Sequence, residues 1–359
     1  MKNIFPLALS YDDVLLIPKY SKISSRNDIN LETKISKRIT LQIPLISANM
    51  SDVTGVEMAI TLGKLGGLGV IPRFLPPDEQ AEKISLIKKG KVLVGAAVGA
   101  AVGARNGIID RAEKLVKAGA DILFIDVAHG HMQKNLDATT KLKQIFGNFV
   151  DIVSGNAATY EAANDLFKAG ADSVKVGIGP GSICTTRIET GSGVPQITAI
   201  LNCARAARKY KKYIIADGGV KTSGDIVKGL AAGASAIMAG SIFAGSDEAP
   251  GKLVIKDGKK FKVYNASTSL TEKVNHSKLN KDEVEIHYIK QIEGVESIVP
   301  YKGSLKNIIE RITANLRSGF SYSGAKDINY LWKNSSFVQI TPQGLRESGA
   351  HDVLLYNTN

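Results

Sequence analysis

One of the two cysteines lies in a loop of small and hydroxyl-bearing residues. Cys184 is part of the stretch GIGPGSICTTR, residues 177–187, whereas Cys203 lies in the helix-like segment TAILNCARAARKY. A structural cysteine is usually surrounded by apolar side chains, which keep its thiol protonated and inert. Glycines, serines and threonines surround Cys184 instead. The pattern indicates a reactive site at Cys184 and a core position for Cys203.

Eight short apolar runs follow one another along the chain, and most of them precede a helix-compatible segment. They are residues 43–48, 67–71, 92–98, 121–127, 151–156, 172–178, 213–219 and 236–241. The phrases KAGADILFIDV, KAGADSVKVGI and AAGASAIMAGS repeat a helix end, a glycine and a strand. Near-continuous apolar strands that alternate with helices are typical of a parallel sheet covered by helices. Eight such units predict an α/β fold, the closed (β/α)8 TIM barrel.

A doubly wound open sheet is the structural alternative. Its dinucleotide-binding fingerprint, GxGxxG, belongs in the first strand-to-helix turn, but the glycines of residues 177–181 follow the sixth predicted strand. In a barrel, the active site lies at the carboxyl ends of the strands, and phosphate often binds after strands 7 and 8. Asp217-Gly218-Gly219 and Gly240-Ser241 stand at those two ends. They predict a phosphate site there, with tight turns as the alternative.

The pattern of apolar and polar residues changes after residue 250. Residues 252–264, KLVIKDGKKFKVY, alternate apolar and polar side chains around Asp257-Gly258, which predicts a hairpin. The long polar stretch 265–291 predicts a mobile flap. We expect one domain over residues 1–359 that consists of three parts. These are barrel strands at about 43–241, the hairpin and flap at about 252–298, and a C-terminal helix and tail at 303–359.

Composition argues against several classes of protein. The formal net charge is +12, but the lysines are scattered and no basic patch is interleaved with aromatic residues. We therefore expect no nucleic-acid partner, only a modest attraction for phosphorylated substrates. No stretch reaches the roughly 18 apolar residues that a membrane span needs, and no Cys/His cluster has zinc-site spacing. These features predict a cytoplasmic protein without a membrane partner.

Motifs along the chain closely resemble the IMP dehydrogenase and GMP reductase family. They are GIGPGSICTTR, GVPQITAI, ADGGVKTSGDIVKGLAAGASAIMAGSIFAG, VPYKG and GLRESGAHDV, with YDDVLLIPKYS and PLISANM near the N-terminus. The resemblance covers nearly the whole chain. It implies a (β/α)8 barrel, assembly as a homotetramer or homo-octamer, and NAD(P)-dependent chemistry on a purine nucleotide. Many members insert two regulatory CBS modules before the third strand, for which residues 76–98 leave no room.

The resemblance assigns Cys184 as the nucleophile that attacks C2 of the purine and forms a covalent thioimidate. Backbone N–H groups of the surrounding loop would favour the thiolate over the thiol. Thr186 and Glu293 match family residues that transfer protons near the base. These three residues form the implied catalytic set.

Further residues match substrate, cofactor and cation positions of the family. For the substrate, GMP or IMP, they are Ser47, Met50, Ser182, Asp217, Gly218, Gly219, Gly240, Ser241 and Tyr264. For the cofactor, NADPH or NAD, they are Asp126, Asn156, Gly177 and Gly179. The backbone carbonyls of Gly179, Gly181 and Cys184 match a potassium site that many of the dehydrogenases have.

The two branches of the family differ in the step that follows attack. A dehydrogenase transfers hydride from C2 of IMP to NAD, and water then hydrolyses the adduct to XMP. A reductase expels ammonia from GMP, and NADPH then delivers hydride to give IMP. In the dehydrogenases, an Arg-Tyr pair on the flap activates the water, but this sequence has no arginine between Arg208 and Arg311. We therefore expect a GMP reductase.

Other features leave two alternatives open. Residues 126–131 and the GLRESGAHDV tail resemble the dehydrogenases. Residues 264–269 depart from the Gly-Met-containing turn that holds the purine in both branches. Ser51-Asp52 replace a usual Asp-Thr pair, and Pro72-Arg73 replace a His followed by a basic residue. An IMP dehydrogenase and a nucleotide-binding protein without catalysis are the alternatives.

Overall fold

Eight parallel strands hydrogen-bond in a closed ring, which confirms the predicted (β/α)8 barrel. The computed structural model describes residues 5–100, 107–279 and 290–353, without the side chains of 275–279. The barrel strands are β1 Leu45–Ser47, β2 Leu68–Ile71, β3 Val94–Val98, β4 Ile122–Asp126, β5 Asp151–Ala157, β6 Ser173–Val176, β7 Tyr213–Asp217 and β8 Ala236–Ala239. Each overlaps one predicted run. Strand β8 pairs with β1 and closes the ring.

Helices cover the outside of the barrel. The first five strands are followed by α1 Val56–Lys64, α2 Pro77–Lys89, α3 Ile108–Lys117, α4 Gln133–Phe146 and α5 Tyr160–Lys168. Next come α6 Thr186–Thr190, α7 Gln196–Tyr210, α8 Ser223–Ala231, α9 Ser241–Ala244, α10 Leu270–Leu279, α11 Leu305–Tyr322, α12 Ile328–Asn334 and α13 Pro342–Glu347. Helix α11 packs against α8 and α1 and so completes the layer of helices around the barrel. Only a short turn separates α2 from β3.

The hairpin and its third strand form a small sheet beside the barrel. Strands β9 Leu253–Lys256 and β10 Lys259–Asn265 are antiparallel, and β11 Glu296–Pro300 pairs with β10. Asp257 and Gly258 have φ of +51° and +72°, the left-handed conformation that a two-residue type I′ turn requires. Buried Lys262 donates to the backbone carbonyl of Ser246 at 2.8 Å and to that of Ala249. This ammonium group fastens the sheet to the barrel.

Short segments outside these sheets pair at the ends of the chain. Strand Val14–Leu16 is antiparallel to Phe337–Gln339, and Thr33–Lys34 is antiparallel to Thr40–Leu41. Helix α10 begins inside the stretch 265–291, and residues 280–289 of that stretch lie outside the described residues. Within the described ranges, no helix has the length and apolar character to cross a membrane.

The repeated KAGAD sequence forms the same joint at two places, where its aspartate contacts the neighbouring strand and a helix. Gly170 has φ of +107° and ends helix α5, a conformation that glycine adopts without Cβ strain. Asp172 then accepts the backbone N–H of Ile152 at 2.8 Å and pairs with Lys143 Nζ at 2.7 Å. Asp121 makes the equivalent two contacts one repeat earlier. Each aspartate therefore fastens the amino end of its strand to the neighbouring strand and helix.

Replacing Asp172 with alanine tests this joint. Asp172→Ala leaves a buried N–H and the Lys143 ammonium without their acceptor, so we expect the free energy of unfolding to fall by about 2–4 kcal/mol. Urea denaturation followed by circular dichroism measures the change. The control is Asp137→Ala on the exposed face of α4, for which we expect a change within about 0.5 kcal/mol. Equal effects of the two substitutions would contradict the role of the joint.

Candidate active site

A cavity of about 220 Å³ opens where the carboxyl ends of the barrel strands meet the hairpin sheet. Polar side chains reach it from the last positions of strands, because a strand buried on both faces leaves only its ends for solvent and ligand. Residues predicted from the sequence that line it are Met50, Asp126, Asn156, Gly181, Cys184, Asp217, Gly218, Gly240 and Tyr264. The structure thus brings together side chains that are far apart in sequence.

Cys184 is connected to a carboxyl group through one hydroxyl. The Cys184 Sγ lies 3.2 Å from Thr186 Oγ1, and Thr186 Oγ1 donates to Glu293 Oε2 at 2.7 Å. Backbone contacts hold the same two segments together. Thr185 N–H donates to the Glu293 carbonyl at 2.9 Å, and Cys184 forms a β-bridge with Gly294. This chain of hydrogen bonds can carry a proton between the sulfur and the carboxylate.

Arg187 braces the cysteine loop. Its Nε donates to the Ile178 carbonyl at 3.1 Å and its Nη2 to the Val194 carbonyl at 2.6 Å. Burial lowers the pKa of Arg187, and the negative charge of a Cys184 thiolate opposes that shift. The guanidinium and the sulfur anion therefore attract each other. Sequence reasoning gave Arg187 no role, although a basic residue three positions after the cysteine is a signal for one.

One buried cation holds two of the predicted carboxylates. Lys175, the third residue of β6, has its Nζ 3.3 Å from Asp126 Oδ1 and hydrogen-bonded to Asp217 Oδ2. Burial alone would lower the pKa of Lys175, but the charges of Asp217 and Asp126 outweigh it and raise the pKa. Asn156 Nδ2 also donates to Asp217 Oδ2 at 3.1 Å. Sequence reasoning missed Lys175, whose signal is a lysine inside an apolar strand.

A smaller cavity of about 50 Å³ adjoins the first and shares several of its walls. The predicted residues that line it are Gly181, Ser182, Gly218, Gly219, Gly240, Ser241 and Tyr264. The Tyr264 hydroxyl hydrogen-bonds with the Ser182 hydroxyl and the Ser241 amide, and burial raises the pKa of Tyr264 to about 12. A Cβ on Gly240 would lie 2.4 Å from that hydroxyl, so only glycine fits. Hydroxyls and backbone amides around a small hollow suit an anion such as phosphate.

Five predicted residues are not among those that line the two cavities, namely Ser47, Gly177, Gly179, Thr186 and Glu293. Ser47 is fully buried, and its hydroxyl accepts from Thr54 at 2.8 Å. A Cβ on Gly177 would lie 2.2 Å from a backbone oxygen. A Cβ on Gly179 would lie 2.5 Å from the Arg187 side chain. Ser47, Gly177 and Gly179 therefore pack closely within the fold, and their contact with ligands stays a prediction.

Asn156 offers an acceptor that fits a nicotinamide. Its Nδ2 donates to the Gly177 carbonyl at 2.7 Å as well as to Asp217. Its Oδ1 is buried and has no partner among the residues that the structure describes. A buried acceptor of this kind suits the carboxamide N–H of a nicotinamide, and the carboxylate of Asp126 lines the same cavity. The side chains present therefore fit the predicted cofactor.

The loop around Cys184 also contains the predicted potassium ligands. Of the three carbonyls, that of Gly181 accepts the Cys184 N–H at 3.1 Å, which leaves it one lone pair for a cation. Oxygen donors suit a hard cation. Among the described residues, no group of three or more His, Cys, Asp or Glu side chains could hold a metal ion. Any cation in this loop would depend on backbone oxygens.

Comparison with known proteins places the chain in a family. The family model for the IMP dehydrogenase / GMP reductase domain matches residues 8–351. Inosine-5'-monophosphate dehydrogenase from Borreliella burgdorferi is 39% identical, over 96% of this chain and 97% of that protein. GMP reductase from Leishmania major is 33% identical, over 97% of each. A crystal structure of a GMP reductase variant from Trypanosoma brucei in complex with guanosine 5'-monophosphate has a TM-score of 0.91 and 30% identity, covering 98% of this chain and 99% of that one.

The relatives carry two different names, so similarity alone does not select one activity. It does extend across the barrel, the hairpin sheet and the loop that carries Cys184. Because one match covers nearly the entire described chain, this protein belongs to the IMP dehydrogenase / GMP reductase family of NAD(P)-dependent oxidoreductases acting on purine nucleotides.

Proposed function

We propose that this protein is a GMP reductase, which converts GMP and NADPH to IMP, ammonia and NADP⁺ through a covalent adduct on Cys184. The observation that carries the proposal is the hydrogen-bond chain from Cys184 through Thr186 to Glu293, at 3.2 and 2.7 Å. It can supply the proton that a leaving amino group requires. The sequence has no arginine between Arg208 and Arg311, so the flap lacks the family residue that activates water.

The nucleotide occupies both cavities in this proposal. The phosphate binds in the small cavity, where hydroxyls and backbone amides of Ser182, Ser241 and Tyr264 converge. The Asp217 carboxylate accepts hydrogen bonds from the ribose hydroxyls. Lys175 pairs with that carboxylate and holds it in place. Anchoring at phosphate and ribose presents C2 of the base to the Cys184 sulfur.

The proton chain accounts for the loss of ammonia. The thiol donates to Thr186 and Thr186 donates to Glu293, so the thiol proton moves to the carboxylate as sulfur bonds to C2. The same path run in reverse delivers this proton to the amino group, which leaves as ammonia. NADPH, when bound, would supply the hydride that C2 needs, and the C2–S bond would then break to release IMP and return Cys184 as a thiolate. Asn156 and Asp126 would hold its nicotinamide.

IMP dehydrogenase is the second candidate. The 39% identity to the Borreliella burgdorferi dehydrogenase over nearly the full length of both chains favours it. So does the dehydrogenase-like tail at residues 344–353. In this case, a residue other than a flap arginine would activate water, and the carbonyls of Gly179, Gly181 and Cys184 would bind potassium. A homotetramer or homo-octamer in the cytoplasm is part of both proposals.

Intact-protein mass spectrometry tests the choice directly. We expect incubation with GMP to leave a nucleotide adduct, because loss of ammonia precedes hydride transfer, and NADPH to discharge it. Cys184→Ala should form no adduct and should show no oxidation of NADPH with GMP. An adduct formed only from IMP with NAD, together with production of XMP, would establish the dehydrogenase instead. Binding without any adduct or turnover would indicate an inactive homologue.

The proton chain is tested by removing its members one at a time. Glu293→Gln and Thr186→Val should each lower kcat for ammonia release by about 10²–10⁴-fold, because general acid catalysis contributes that much. The Kd of GMP should change less than about threefold. The control is Thr190→Val, on the exposed end of the same short helix and outside both cavities. A Glu293→Gln variant with kcat within threefold of the unsubstituted protein would refute the chain.

A further inference from the structure

Lys262 is a buried lysine in the middle of strand β10. Its Nζ donates to the backbone carbonyls of Ser246 at 2.8 Å, of Asp247 at 3.2 Å and of Ala249. These three oxygens, the carbonyl cage, belong to one loop that follows helix α9. An ammonium group has three N–H donors and no acceptor, so the cage satisfies it completely. The loop therefore folds around the ammonium group of Lys262.

The carbonyl cage needs a positive charge at its centre. Backbone oxygens that converge on one point replace the hydration shell of a cation, as they do around potassium in channels. Without a cation, the negative ends of three carbonyl dipoles would lie together and repel one another. Burying an ammonium group also costs desolvation free energy that an apolar side chain of similar length would avoid. Apolar packing by Lys262 therefore does not account for the cage.

Helix α9 connects the carbonyl cage to the predicted phosphate site. The cage loop follows the end of α9, and the helix begins at Ser241. The Ser241 amide and the Ser182 hydroxyl hydrogen-bond with the Tyr264 hydroxyl. Tyr264 stands two residues after Lys262 on β10, so the two side chains point to the same face of the strand and are about 7 Å apart. Lys262 thus anchors β10 beside the residue that reaches the phosphate site.

The pairing of the hairpin sheet extends this anchor to the catalytic carboxylate. Strand β11 pairs with β10, and Asn265 on β10 is opposite Glu296 on β11. Glu293 lies three residues before Glu296, and its carboxylate accepts from Thr186 at 2.7 Å. A shift of β10 relative to the barrel would therefore move Glu293 relative to Thr186. A misplacement of about 1 Å can lower a reaction rate about 10²-fold.

The hairpin sheet has further attachments to the barrel that do not depend on Lys262. Asp52 Oδ2 accepts the Asn265 N–H at 2.9 Å. Lys302 N–H donates to the Gly245 carbonyl at 2.8 Å. Because these contacts remain when the ammonium group is removed, we expect a protein without Lys262 to fold, with its hairpin sheet slightly displaced.

We propose that the Lys262 ammonium is the cation that the carbonyl cage requires, and that it positions the hairpin sheet so that Tyr264 and Glu293 meet the nucleotide. The inference rests on the proposed function in that the sheet contributes to the phosphate site and to the proton chain. Lys262 touches neither the substrate cavity nor the reacting atoms. It is a positioning residue that acts through β10 and β11.

Chemical rescue tests the role of the ammonium group. Lys262→Ala removes the side chain beyond Cβ, whose atoms are those of n-propylammonium, so this ion can enter the carbonyl cage of the variant. Lys262→Met removes the charge but fills the space and is the matched variant without room for the ion. Lys256→Ala, at the exposed end of β9, controls for the loss of a lysine from the sheet.

The measurements are kcat with GMP and NADPH, the Kd of GMP by isothermal titration calorimetry, and thermal unfolding by circular dichroism. Each protein is measured in n-propylammonium, tetramethylammonium or sodium chloride at equal ionic strength, and compared with the unsubstituted protein in the same salt. Tetramethylammonium has no N–H to donate to the cage. Ammonium itself is left out because ammonia is a product of the proposed reaction.

We expect Lys262→Ala and Lys262→Met to unfold cooperatively and to lower kcat about 10²-fold. The Kd of GMP should rise about 5- to 10-fold in both, because Tyr264 loses its place at the phosphate site. n-Propylammonium should restore kcat of Lys262→Ala about tenfold or more and lower its Kd, in proportion to occupancy of the cage. Lys262→Met should not respond, and Lys256→Ala should match the unsubstituted protein.

Several results would overturn the inference. One is a kcat of Lys262→Ala within about threefold of the unsubstituted protein, since a misplaced sheet should cost far more. Another is a loss that n-propylammonium does not restore, or that tetramethylammonium or the filled Lys262→Met variant restores equally. Loss of cooperative unfolding in both variants would show that Lys262 serves the fold alone.

Failure of this inference and failure of the proposed function have different outcomes. The Kd is measured without NADPH and without turnover. A protein that binds GMP but never reduces it would refute the reductase, whereas a raised Kd in Lys262→Ala that n-propylammonium lowers again would still support the positioning. Unchanged turnover of GMP in Lys262→Ala would refute only the positioning. Absence of GMP and IMP binding in the unsubstituted protein would refute both.

Discussion

The catalytic site depends on the joint between the cysteine loop and the start of the third hairpin strand. Thr185 N–H donates to the Glu293 carbonyl, Val295 N–H donates to the Ile183 carbonyl, and Cys184 bridges Gly294. These backbone bonds fix a glutamate that is 107 residues from Thr186 in sequence against its hydroxyl. Without the joint, Thr186 would lose the carboxylate that accepts its hydrogen bond. The hairpin insertion between β8 and α11 is thus part of the active site as well as of the fold.

Electrostatics organises the barrel side of the same cavity. Asp126 and Asp217 stand at the carboxyl ends of β4 and β7, where two negative charges close together would repel each other. Lys175, buried between them, pairs with both carboxylates and restricts their orientation. Arg187 has a corresponding place beside Cys184, where its positive charge would attract a sulfur anion. The site therefore contains its own fixed charges before any ligand enters, which reduces the reorganisation needed during reaction.

The barrel could be predicted because its signals are local. A strand buried on both faces needs an unbroken apolar run, a helix end needs a glycine such as Gly170, and a two-residue hairpin needs a pair such as Asp257-Gly258. Each of these choices depends on a few neighbouring residues. The repeated aspartates, represented by Asp172, show what the sequence pattern leaves out, because their partners come from a different strand and helix. The position of helix α11, which packs between α8 and α1 outside the barrel, likewise depends on contacts between distant segments.

The sequence by itself determined that Cys184 lies in a loop at the carboxyl end of a barrel strand, and its resemblance to a family named most of the residues around it. Only the tertiary structure decided which side chains face the cavity, because that depends on pairing across strands and on packing between distant segments. It revealed Lys175 between two carboxylates and placed the Ser47 side chain in the core. Spacing along a chain encodes the strands, whereas the direction of a side chain follows from the closed ring that they form.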